Sequence, residues 1–162
     1  MKLKTTEFIS LVLASLVTGV FWGTWFTLTR SINDFSSVEF IHIGKAIIDN
    51  VAIPMSVMMP LTLLFMLLAI LLSRTVNSIS FYLYIVSFLL MTITLVITVA
   101  VEVPIDNQIK TWTENTTPSN WELLRHRWDL FHTIRTFTSI ASFGFLSWGI
   151  ITRIKQGSTS PL

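Results

Sequence analysis

VAIPMSVMMPLTLLFMLLAILL, residues 51–72, carries no charged side chain from end to end. A helix rises about 1.5 Å per residue, so roughly 20 apolar residues cross the hydrocarbon core of a bilayer. The stretch therefore reads as a membrane span. Residues 76–101 are also uncharged and give a second one. Backbone N–H and C=O groups in lipid have no water to bond, and a helix satisfies them within the segment. That requirement overrides the strand preference of the β-branched run TITLVITVAV, residues 92–101.

Working outward, residues 8–28 form an apolar run after a basic start, and residues 130–151 form another, interrupted only by His132 and Arg135. The expected architecture is all-α: an integral membrane four-helix bundle with spans at about 8–28, 51–72, 79–103 and 130–151. A single domain covers residues 1–162, embedded in a lipid bilayer as a multi-pass protein. The opening MKLKTTEFISLVLASLV has the flanks of a signal peptide, but its apolar run continues through TGVFWGTWFTL, too long for a signal core. It is expected to be retained as a first span. That span carries Ser15, Gly19, Gly23 and Thr27 at four-residue spacing, a ladder on which another helix can pack closely.

Composition supports the membrane reading. Hydrophobic residues make up 52% and charged residues 12%, about half the charge usual in soluble domains. Mean hydropathy is +0.68. The absence of cysteine excludes disulfides, thiolate metal sites and cysteine nucleophiles. No basic run points to nucleic acid, and no glycine-rich phosphate loop occurs. Nothing in the sequence sets the oligomeric state.

Four spans place both termini on one side, with Lys2, Lys4, Arg74, Arg153 and Lys155 against the single acid Glu7. The other side has a similar basic count spread over longer segments. The higher basic density favours cytoplasmic termini, in a protein of the cell membrane. Residues 75–80 read as a short turn between spans two and three. The other connections, about 29–50 and 104–129, are long and contain Phe35, Phe40, Trp112 and Trp121. They are expected to order as two loops capping the same membrane face.

Residues 119–138, SNWELLRHRWDLFHTIRTFT, open with Ser119 and Glu122 at capping-box spacing. No helix breaker follows before Gly144, so one helix is expected to begin outside the bilayer and continue into it. At about 100° per residue, Arg125, Trp128, His132 and Arg135 share one face. His126 and Arg127 point elsewhere, toward water or headgroups. A charge one or two turns inside a span costs roughly 2.5 kcal/mol or more, and such residues usually face the bundle interior. His132 and Arg135 are the candidate catalytic pair. Arg125 and Trp128 join them as substrate-binding candidates. So do Asn107, in the turn after Pro104, and His42 and Asn50, from a segment with helical spacing in the first long connection. Glu102 stands at the membrane edge as a partner for the basic residues. Pro104 is expected to end the third helix, and Pro60 to kink the second.

With these residues in place, the chain resembles the anthrone oxygenase-like family of small four-helix membrane proteins. The resemblance rests on VPIDN at residues 103–107, Trp121, the R-x-x-W-x-x-x-H-x-x-R pattern from Arg125 to Arg135, and AIIDNVAIPM at residues 46–55. It implies oxidation of an anthrone to a quinone without an evident cofactor. The residues suit such chemistry: His132 has an intrinsic pKa fit for accepting a proton near neutrality. Arg135 or Arg125 can hold the resulting anion, and Trp128 supplies an apolar wall for a small hydrophobic aromatic molecule. Two other classes remain open from the residues themselves. One is a non-enzymatic carrier, lipid-binding protein or assembly subunit; the other is a haem or metal protein using His42, His126, His132 or carboxylates.

Overall fold

A computed structural model describes residues 2–73 and 79–158. It is 91% helical, with no strand among the described residues, so TITLVITVAV is helical as the lipid argument demands. The elements are α1 (Leu3–Thr27) and a 3₁₀ helix (Thr29–Asp34), then α2 (Ser37–Ser73) and α3 (Ile79–Ile97). A π-helical turn (Thr98–Glu102), α4 (Val103–Thr111) and α5 (Trp121–Ser158) complete the chain. Four helical stretches are long and apolar enough to cross a membrane: Leu3–Asp34, Ser37–Ser73, Ile79–Thr111 and Trp121–Lys155. Of the turn expected at 75–80, residues 75–78 lie outside the described residues.

The helices overrun the expected spans, and the two long connections are mostly helix rather than loop. α2 starts at Ser37 and, with 37 residues, measures about 55 Å, well beyond a hydrocarbon core of about 30 Å. Its start is fixed by a capping box: the Ser36 backbone N–H donates to Glu39 Oε2 at 2.9 Å, and the Glu39 N–H donates to Ser36 Oγ at 3.4 Å. α5, with 38 residues, crosses the same boundary. It begins at Trp121, one position later than a Ser119 cap requires, and Asn120 O accepts its first backbone bonds. α2 also remains helical through Pro54 and Pro60.

Pro104 does not end the third helix. It stands in the first turn of α4, two residues after the π turn ends. Proline lacks an N–H and its ring clashes with the carbonyl four residues earlier. A wide turn ahead of it relieves that clash, and the helix proceeds to Thr111.

Two apolar clusters result. Within the spans, Ala14, Val17, Met59, Met66, Met91 and Leu146 are buried among α1, α2, α3 and α5. Toward the cap, Ile32, Phe40, Ile48, Ile105, Ile109 and Trp112 form a second cluster beneath the 3₁₀ helix and α4. Polar tethers hold the cap. Lys45 Nζ donates to Trp112 O at 2.6 Å, at the C-terminus of α4.

Hydroxyl side chains stitch α3 to α5. Ser87 Oγ donates to Ser142 O at 2.6 Å and Ser142 Oγ to Ser87 O at 2.7 Å. Such small residues permit close backbone approach where lipid supplies no hydrophobic drive between helices. At the end opposite the cap, Glu7 is buried and binds Tyr84 Oη at 2.5 Å and the Arg153 guanidinium through Nε and Nη2. The single acid of the termini side is thus a knot joining α1, α3 and α5. The ladder Ser15, Gly19, Gly23 and Thr27 takes no part in the bundle. Ser15, Gly19 and Thr27 are exposed, and a Cβ at Gly19 or Gly23 meets nothing within 4 Å.

Candidate functional site

A cavity of about 400 Å³ lies where the two apolar clusters meet. This falls within the range of ligand pockets, which are mostly apolar with a few converging polar groups. Phe21 of α1, and Met55 and Met59 of α2, supply apolar wall. Most of the polar groups, and all the ionisable ones, come from the π turn, α4 and α5: Thr98, Asp106, Asn107, Lys110, His132 and Arg135, beside Trp128.

The i, i+3 and i, i+4 spacing along α5 brings Trp128, His132 and Arg135 together. The Trp128 and His132 rings stack with centroids 4.8 Å apart and planes 7° from parallel. Trp128 Nε1 donates to Asp106 Oδ1 at 3.2 Å, tying α5 to α4. Arg135 donates to His132 Nδ1 from Nε at 3.2 Å and lies 2.8 Å from it through Nη2. It also donates from Nη1 to Thr98 Oγ1 at 3.3 Å, and its Cζ sits 4.6 Å from the centre of the Phe21 ring. An arginine can only donate, so His132 Nδ1 accepts, and the neutral ring carries its proton on Nε2. That Nε2 is buried and has no hydrogen-bond partner among the described residues.

Glu102, on the π turn, is fully buried with Oε2 2.9 Å from Arg135 Nη2. Neither carboxylate oxygen has an aligned hydrogen bond, so the pair is a close charge contact. An unpaired charge at this depth is very costly, which makes each member a condition for the other. The sequence placed Glu102 at the membrane edge. In the structure it is buried within the bundle, on the π turn.

The other candidate residues scatter. Asn107 lines the cavity. Arg125 reaches away from it, donating to the carbonyls of Ile32 at 3.4 Å and Phe35 at 3.1 Å and lying over Trp121 at 4.7 Å. It thereby fastens the 3₁₀ helix to α5. His42 is exposed and 3.3 Å from Glu114, and Asn50 is exposed off the cavity. Thr98, Asp106 and Phe21 join the site without having been singled out. Asp106 had a legible signal, lying four residues beyond Glu102, one helical turn on. Phe21 had none, being one aromatic among many in α1. Among the described residues, no group of three or more His, Cys, Asp or Glu side chains is placed to hold a metal ion.

A family model described as "Anthrone oxygenase" matches residues 49–145, which contain the π turn, α3, α4 and the polar face of α5. No curated protein and no solved structure matches the chain.

Proposed function

The chain belongs to the anthrone oxygenase family, and from that premise we propose that it is a membrane oxygenase acting on a hydrophobic fused-ring aromatic substrate. One observation carries the reading: an apolar cavity of about 400 Å³ with carboxylate, imidazole and guanidinium groups gathered on a single wall. A flat aromatic body fits the apolar part, and its ionisable edge meets the polar wall.

The reaction balances with substrate and O₂ alone. A methylene flanked by aromatic rings loses a proton and becomes a delocalised carbanion. The carbanion gives its electrons to O₂, forming a C–O bond and a peroxide. Loss of the second C–H proton, with cleavage of the O–O bond, leaves a ketone, and the other oxygen departs as water. No resident cofactor enters this proposal. Arg135 occupies His132 Nδ1, so the proton-accepting role expected of His132 passes to Asp106, the carboxylate on the cavity wall, which takes the first proton. His132 and Arg135 stabilise the oxyanion form, the guanidinium by charge and the imidazole as a donor at Nε2. Trp128 stacks on His132 and holds the ring in place. We also assign the protein to the cell membrane with both termini cytoplasmic, on the basic density of the termini side.

Full-length protein in lipid vesicles, supplied with anthrone, should consume O₂ and form the corresponding quinone, read by its absorption. His132→Ala and Asp106→Asn should each lower turnover by about 10²-fold or more, the usual contribution of a positioned acid or base. No turnover by the wild type, or undiminished turnover by His132→Ala, overturns the reading.

A second reading has its own support. Arg135 is already engaged by Glu102, His132, Thr98 and Phe21, as expected if the polar wall stabilises a carrier. Binding of anthrone without O₂ consumption distinguishes that protein from an oxygenase.

A further inference from the structure

Two stripes of residues line the cavity and also stand open on the outer surface. On α2 they are Ala52, Ser56 and Pro60, each four positions from the next. Across from them are Val99 and Val103, also four apart, which are 58% and 41% exposed. A side chain that faces both a cavity and the exterior marks the rim of an opening. Here both rims follow the helical repeat, so the opening is a slot running along the gap between two helices.

The position of this slot decides what passes through it. The α2 rim lies in the first half of the uncharged stretch 51–72, and Val99 lies near the end of the uncharged stretch 76–101. Both belong to helices long and apolar enough to cross a membrane. The slot therefore faces lipid, and only its far end, at exposed Asn107 and Lys110, reaches the cap. Ala52 and Ser56 are small, which keeps the near rim low. The π turn forms the other rim: Val99 lies within it and Val103 directly follows it.

We propose that this slot is a lateral portal through which the ligand passes directly between the bilayer and the cavity, so that the protein takes molecules dissolved in lipid rather than in water. The identity of that ligand as a fused-ring aromatic rests on the reading given above. The portal sets specificity by shape and polarity. A flat lipophile slides between the rims, whereas a charged or heavily hydroxylated compound remains at the headgroups.

The chain has no cysteine, so a single one is an unambiguous reporter. Met55→Cys places a thiol on the cavity wall at a position 8% exposed. In vesicles of the protein, a bilayer-dissolved pyrene maleimide should label this thiol much faster than a sulfonated, membrane-impermeant maleimide does. Adding Val99→Trp fills the slot and should slow pyrene labelling by about tenfold or more, since a closely packed gap passes little. The control Val96→Trp, 57% exposed but off the cavity, should leave labelling within about twofold, as expected of a packing change on a lipid-facing surface. Equal rates in the two tryptophan variants, or faster labelling by the sulfonated reagent, overturn the portal.

The turnover assay provides a separate arm. Without the cysteine, Val99→Trp should raise the KM for anthrone about tenfold with little change in kcat, the pattern of impaired access rather than impaired chemistry. A matching fall in kcat with unchanged KM overturns the portal. Absence of wild-type turnover overturns the oxygenase reading instead, and the labelling result still decides the portal.

Discussion

Arg135 and Glu102 make each other tolerable, and their substitutions should show it. Removing one partner of a buried ion pair leaves an uncompensated charge and typically costs about 3–5 kcal/mol, whereas replacing both by apolar groups is often nearly neutral. Glu102→Gln and Arg135→Met should each lower the unfolding midpoint in detergent, and the double variant should recover much of the loss. Additive losses in the double variant would sink the coupling. Gly149 presents a steric case. A Cβ there falls 2.6 Å from Tyr84 Cε1, so Gly149→Ala must displace the ring whose hydroxyl binds Glu7. Overpacking of this kind costs about 1–3 kcal/mol, measurable as a lower thermal midpoint; an unchanged midpoint contradicts the clash. At this scale the sequence was informative wherever helical spacing applied. Trp128, His132 and Arg135 share a face because 3.6 residues make a turn, and that needs no tertiary knowledge. Arg125 satisfies the same spacing but serves the 3₁₀ helix, because the partner its guanidinium meets depends on where a distant segment folds. His42 and Asn50 failed to join the cavity for the same reason.

Among the elements, the π turn at Thr98–Glu102 has the widest influence. It accommodates Pro104, buries Glu102, supplies Thr98 to Arg135 and forms one rim of the lipid-facing slot. Deleting Ala100 should convert it to a regular turn, which returns the Pro104 ring to its clash with the carbonyl four residues earlier and displaces α4 from α5. Circular dichroism should then show retained helix, while turnover and the Trp128–Asp106 contact are lost; full activity in the deletion variant would show that the wide turn is dispensable. The sequence marked this place only as a proline after an apolar run, which ordinarily stops a helix. Whether the chain stops or widens there depends on whether the next segment has an apolar partner. Ile105 and Ile109 find one in the cap cluster. The same partner explains why the connection containing His42 became the first turns of α2. Glu39, His42, Asp49 and Asn50 in that stretch are exposed, and Phe40, Ile41 and Ile48 face the cap.

Taken whole, the molecule has one apolar cluster for the bilayer and another for the cap, with α2 and α5 running continuously through both. The four spans were legible because an uncharged segment of sufficient length has few alternatives in lipid. The cap's helical character was legible in part: the Ser119 and Glu122 spacing marked the outer turns of α5 and helical spacing marked the segment of His42, whereas nothing marked the 3₁₀ helix or α4. Because the cavity lies at the junction of the two clusters, a bound ligand becomes a shared piece of both cores. Anything that binds the folded protein and not the unfolded chain stabilises it by RT ln(1 + [L]/Kd), about 2.7 kcal/mol at a hundredfold excess over Kd. Melting temperature is thus a ligand detector that requires no assumption about the reaction. A panel of lipophilic compounds ranked by the shift they produce should place flat fused-ring aromatics first, and an upward shift that vanishes in a cavity-filling Met59→Trp variant would trace it to this junction.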